Sequence, residues 1–150
     1  MSDELRVHLH FTMRGRFPLR LLDLMFGTET LHYVEYGYLT PLDLAIGSAT
    51  RRARAFARRV SEKGVTAALD HADSVETRAY DSVEAIEVFA GGRVTRPKVV
   101  VRGVDGAVTA VRVHGEFDAG AFTDALEVTL DARDVAVRRR EGRTLRGLLG

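Results

Sequence analysis

Between Thr40 and Lys63 the chain sets apolar side chains at one helical spacing and arginines at the complementary one. Leu42, Ala45, Ile46, Ala49, Ala53, Phe56, Ala57 and Val60 follow the three-four rhythm of a single helix face. Thr40 suits the N-cap, and Pro41 fits the first helical position, where its missing N–H costs nothing. Asp43, three residues on, completes a variant of the capping box. Gly64 stands where a helix commonly ends. The pattern predicts one long amphipathic helix over about 40–63, roughly 35 Å from end to end. Its outer face would carry Arg51, Arg52, Arg54, Arg58 and Arg59, crowded into the half where the helix dipole favours cations.

Most of the remaining chain reads as strand. Leu5, Val7, Leu9, Phe11 and Met13 alternate with Arg6, His8, His10, Thr12 and Arg14, the period of a half-exposed strand. Phe17 to Phe26 is nearly all apolar, and periodicity leaves a buried helix and a buried strand both open. Tyr33, Val34, Tyr36 and Tyr38 favour a strand over Thr30 to Leu39. Residues 66–82 are ambiguous, with a strand open over Asp73 to Tyr80. Val83 to Phe89 fits a helix started by Asp81 with Glu84 or a strand, and the strand is the favoured reading. Lys98 to Arg102, a valine run, is expected as a strand. Asp105-Gly106 then turns the chain back into Val108 to His114. Gly115 to Phe122 reads as a loop. Leu126, Val128 and Leu130 read as a strand, and Asp134 to Arg138 as another. The expected architecture is α+β: six to eight mostly antiparallel strands in a curled sheet or sandwich, covered by the one long helix. Residues 1–140 form the expected domain, and 141–150 a basic and apolar C-terminal arm.

Composition narrows the function classes. The chain has 150 residues and no cysteine, so disulfides, cysteine-ligated metals and thiol nucleophiles are excluded. Apolar runs fall short of a membrane span, and the acidic start, Met1-Ser2-Asp3-Glu4, does not read as a signal peptide. The expectation is a cytoplasmic protein, or one within an assembled particle, with no membrane contact. Net charge is only +1, but it is unevenly placed. Residues 1–63 hold 10 basic and 7 acidic side chains, residues 64–134 hold 7 and 13, and residues 135–150 hold 5 and 1. Copies patterned in this way can attract one another in a staggered arrangement.

Motifs that name a chemistry are missing. There is no Gly-x-Ser-x-Gly turn, no phosphate-binding loop and no dinucleotide fingerprint. No cofactor is implied and no catalytic residue stands out. His8 and His10, two apart on a strand, can present both imidazoles to one metal ion. A third ligand is then required, with His32, His71, His114, Glu35 and Glu116 as candidates.

The arginine face is the most pointed feature, and it has two functional readings. It can meet nucleic-acid phosphates, although a domain of such low net charge is a weak candidate for that. It can also form half of a protein–protein contact. The tyrosines of residues 33–38 and the terminal Arg138, Arg139, Arg140, Arg143, Leu145, Leu148 and Leu149 would add to that contact. A cysteine-free, strand-rich domain with one helix and a terminal arm resembles, in architecture alone, the ring-forming subunits of viral or contractile tails. The expectation is a non-enzymatic structural or assembly subunit of a homo-oligomer or larger complex. Nucleic-acid binding is the alternative, and a metal-dependent enzyme using His8 and His10 comes third.

Overall fold

The computed structural model describes residues 4–15 and 19–140. Eight strands form one open mixed sheet, ordered β4-β3-β2-β1-β7-β6-β5-β8. They are β1 (Leu5–Arg14), β2 (Leu19–Gly27), β3 (Thr30–Leu39), β4 (Ser74–Ala79), β5 (Val83–Phe89), β6 (Lys98–Gly103), β7 (Val108–Val113) and β8 (Ala136–Arg140). Four helices accompany them: α1 (Pro41–Ala45), α2 (Ser48–Lys63), α3 (Val65–Asp70) and α4 (Ala119–Thr129). The fold is therefore α+β, but it is not a sandwich. All neighbours pair antiparallel except β8, which joins β5 in parallel.

The long helix is broken, which corrects the sequence expectation. Thr40 forms the capping box with Asp43 as its spacing implies. Then Gly47 takes a left-handed conformation, φ 76°, and splits the segment into α1 and α2. Glycine alone adopts that backbone without strain. The consequence is that α1 buries none of its residues. Leu42 and Ile46, expected on the buried face, are exposed instead. Only Ser48, Ala49, Ala53 and Phe56 of α2 are buried.

A second correction concerns residues 115–130. Ala119, Phe122, Leu126 and Leu130 are buried at three-four spacing, and Asp118 caps the helix by accepting from the Ala121 N–H at 3.0 Å. Leu126 and Leu130 fit period two and period four equally well. Val128 decides between them, because it is 79% exposed.

The sheet has a core on each side. On one face, Leu22, Leu24 and Phe26 of β2 join Ile86, Val99 and Val111 beneath Phe122 and Leu126 of α4. On the opposite face, Leu21, Met13 and Leu39 pack with Ala49, while Met25 and Val34 pack with Phe56 and Ala68. The sheet thus separates α4 from α2. Strand β2 is covered on both faces, and this is why its sequence is apolar almost throughout.

Candidate functional site

One carboxylate interrupts that apolar strand. Asp23 lies in the middle of β2, fully buried. Both flanking strands bulge beside it. In β1, Leu9 pairs with Leu24 and Thr12 with Leu22, so His10 and Phe11 together oppose Asp23. In β3, Glu35 pairs with Leu22 and Gly37 with Leu21, leaving Tyr36 as the extra residue. Bulges re-aim side chains and backbone donors, and these two converge. The Phe11 N–H donates to Asp23 Oδ1 at 2.8 Å, and the Tyr36 hydroxyl donates to the same oxygen at 2.7 Å. Phe11 carries a positive φ of 61°, strained for a non-glycine residue, to make its bond.

The other oxygen, Oδ2, faces His8 and His10. His8 Nε2 lies 2.6 Å from it and His10 Nδ1 lies 2.5 Å from it. An ionised carboxylate has no hydrogen to give, so each imidazole donates its N–H. Burial would raise the Asp23 carboxyl, but the hydrogen bonds from His10 and His8 outweigh it and hold the group below its ordinary value. For Tyr36, burial and the adjacent Asp23 charge both push the hydroxyl well above its usual range. Its ring lies flat on Phe56 of α2, with centroids 4.2 Å apart. The two imidazoles remain open to solvent, their side chains 24% and 33% exposed.

None of the ligand candidates read from sequence joins this cluster. His32 bonds to Thr30 and Thr77. His114 stacks on Phe11. Glu35 pairs with Arg14 and Arg20, whereas His71 and Glu116 take no part in the cluster. The third member is Asp23, and its signal was a lone carboxylate in an otherwise apolar run.

The arginine face lies on α2 as expected. Arg51, Arg52, Arg54, Arg58 and Arg59 are all exposed. Arg51 reaches Ser48 and Arg52 donates to the Tyr38 carbonyl at 2.8 Å. Among the described residues none of the five is in an ion pair. Arg52 and Arg59 rim a cleft of about 150 Å³ lined by Tyr36 and Phe56. The exposed Leu42, Ile46 and Tyr38 stand close in sequence to this face, on α1, at its C-cap and at the end of β3 respectively.

The terminal arginines divide. Arg138, Arg139 and Arg140 belong to edge strand β8, and Arg140 is held by Glu87 at 2.9 Å. Arg143, Leu145, Leu148 and Leu149 lie outside the described residues.

A feature missed in the sequence lies across the sheet. Asp124 and Glu127 of α4, with Asp131 in the following turn, are exposed and in no ion pair among the described residues. Their spacing, three then four, repeats that of Arg51, Arg54 and Arg58. Reading residues 126–130 as a strand hid this stripe.

No protein-family model matches the chain, and no curated protein matches its sequence. Among solved structures, the fold is similar to the hSac2 domain from human phosphoinositide phosphatase Sac2. The TM-score is 0.54 at 9% identity, over 95% of this chain and 80% of that one. At that identity the likeness concerns the fold alone. Among the described residues no helix is long and apolar enough to cross a membrane.

Proposed function

We propose that this protein is a non-enzymatic assembly subunit that associates head to tail, the arginine face of α2 in one copy docking on the acidic face of α4 in the next. One observation carries the reading. Two unpaired stripes of opposite charge and equal spacing lie on opposite sides of the same sheet. A self-complementary pair of faces on one side would close a dimer. Complementary faces on opposite sides repeat instead, giving rings where the rotation closes and filaments where it does not.

Apolar features reinforce the charge match. Val128 stands between Glu127 and Asp131 as an exposed apolar knob. The cleft between Arg52 and Arg59, floored by Tyr36 and Phe56, is a recess of the right character to receive it. Leu42 of α1, 69% exposed, and Tyr38 at the end of β3 extend the contact. Tyrosine and arginine are the residue types that dominate protein interfaces. A nucleic-acid partner would use the same arginines but would leave the matched acidic stripe without a role.

Sedimentation velocity of the full chain over a concentration and salt series tests this. The expected result is reversible association that weakens as salt screens the contact, and that Arg51→Glu, Arg54→Glu and Arg58→Glu together abolish. A wild-type chain that stays monomeric at every concentration overturns it. So does loss, in the triple variant, of low-salt nucleic-acid retention with association unchanged.

A further inference from the structure

From the geometry around Asp23 we infer a second site: His8 Nε2, His10 Nδ1 and Asp23 Oδ2 bind one divalent transition-metal ion of the zinc class. The three donor atoms lie within 4.8 Å of one another. Two imidazole nitrogens and one carboxylate oxygen are a donor set that zinc accepts, with a fourth position left for water or another ligand. Zinc bonds of about 2.0–2.2 Å to nitrogen and oxygen require donor atoms roughly 3.3 Å apart in a tetrahedral arrangement. The nitrogens now sit 2.5 and 2.6 Å from the oxygen, so rotation of two half-exposed rings opens the space. The metal then takes the place of the hydrogen on each of these two nitrogens, and the other nitrogen of each ring carries the N–H.

Three features distinguish this cluster from a buried carboxylate that is merely satisfied. The first is the division of labour on Asp23. Both donors from the flanking bulges go to Oδ1, the role that outer-shell groups play toward a metal-binding carboxylate, and Oδ2 is left to the histidines. The second is convergence. A different ring nitrogen from each histidine is aimed at one point, where two hydrogen bonds to separate oxygens would have satisfied the carboxylate equally. The third is strain. Phe11 holds a positive φ to place its N–H on Oδ1, and unfavourable backbone persists where the surroundings fix it for a purpose. The mouth is open to solvent on the histidine side, so an ion has a way in.

Titration of the full-length, tag-free chain with Co²⁺, followed by visible absorption and by Zn²⁺ competition, tests the site. The expected result is intense four-coordinate absorption saturating at one ion per chain and displaced by Zn²⁺. His8→Ala and His10→Ala should each remove it, and circular dichroism should show both variants folded. Tyr36→Phe should weaken Zn²⁺ binding roughly tenfold, the usual effect of losing an outer-shell partner. His32→Ala and His71→Ala should leave binding unchanged. Absent absorption, weak six-coordinate absorption, or absorption that survives in the folded His8→Ala/His10→Ala double variant each overturns the assignment. Tyr36 and His71 also line the cleft beside α2, so the His8→Ala and His10→Ala variants, which lie outside the α2 and α4 stripes, are the ones that separate metal binding from assembly.

Discussion

Tyr36 does two jobs with separable chemistry: its hydroxyl serves Asp23 and its ring packs on Phe56. Tyr36→Phe keeps the second and deletes the first. A hydrogen bond to a charged group contributes roughly 1.5–3 kcal/mol, and urea unfolding of the metal-free variant should show a loss of about that size. His114 supplies a pH-dependent counterpart. Burial, together with Arg96 and Arg112, lowers it from 6.5 to about 4. Between those values the unfolded chain binds a proton that the folded chain does not. Stability therefore falls as pH drops through that window. His114→Gln should flatten this limb, measured as urea midpoints at neutral pH and at about pH 5. At this scale the sequence was half legible. Period two placed His8 and His10 side by side. The bulges at Phe11 and Tyr36 depend on pairing between strands, and no local pattern in β1 or β3 announces which residue of β2 they will face.

The division between α1 and α2 turns on Gly47. Its side without a Cβ faces open space, so an added methyl meets nothing. The left-handed backbone is the sole obstacle, and Gly47→Ala should cost about 1–2 kcal/mol, read as a shift in urea midpoint with an unchanged slope. The caps of this segment were legible because Thr40, Pro41 and Asp43 act on their own neighbours. The break was not, because Leu42 and Ile46 keep helical spacing with Ala49 across it. Nothing local shows that no core lies beneath them. For α4 the ambiguity was arithmetic: Leu126 and Leu130 satisfy both periods, and exposure of Val128 is a tertiary fact. Strand β2 shows the opposite case. Its uninterrupted apolar run left helix and strand open because both faces of the sheet are covered there.

At the scale of the whole molecule the sheet lies between the arginine stripe of α2 and the acidic stripe of α4. It sets α2 and α4 on opposite faces, and so turns an uneven charge distribution along the chain into two oriented patches. Its outer strands contribute differently. Strand β8 ends the sheet with Arg138, Arg139 and Arg140, charges that discourage uncontrolled strand addition. The proposed association uses the helix faces instead. Val128→Lys places a cation beside the acidic stripe and removes the apolar knob. It should weaken self-association by at least tenfold, about 1.4 kcal/mol, without altering the fold, as read by sedimentation and circular dichroism. The uneven charge was visible in the sequence, but its division between two faces was not, since that depends on which side of the sheet each helix covers.

The most direct measurement of head-to-tail assembly is complementation between two charge-reversed chains. One carries Glu at positions 51, 54 and 58; the other carries Arg at positions 124, 127 and 131. Each has two faces of like sign and should sediment as a monomer. Mixed in equal amounts, every face finds an opposite partner, and association should return with the two chains alternating. Two reversed chains that remain monomeric on mixing, or that associate separately as well as the wild type does, would contradict the account.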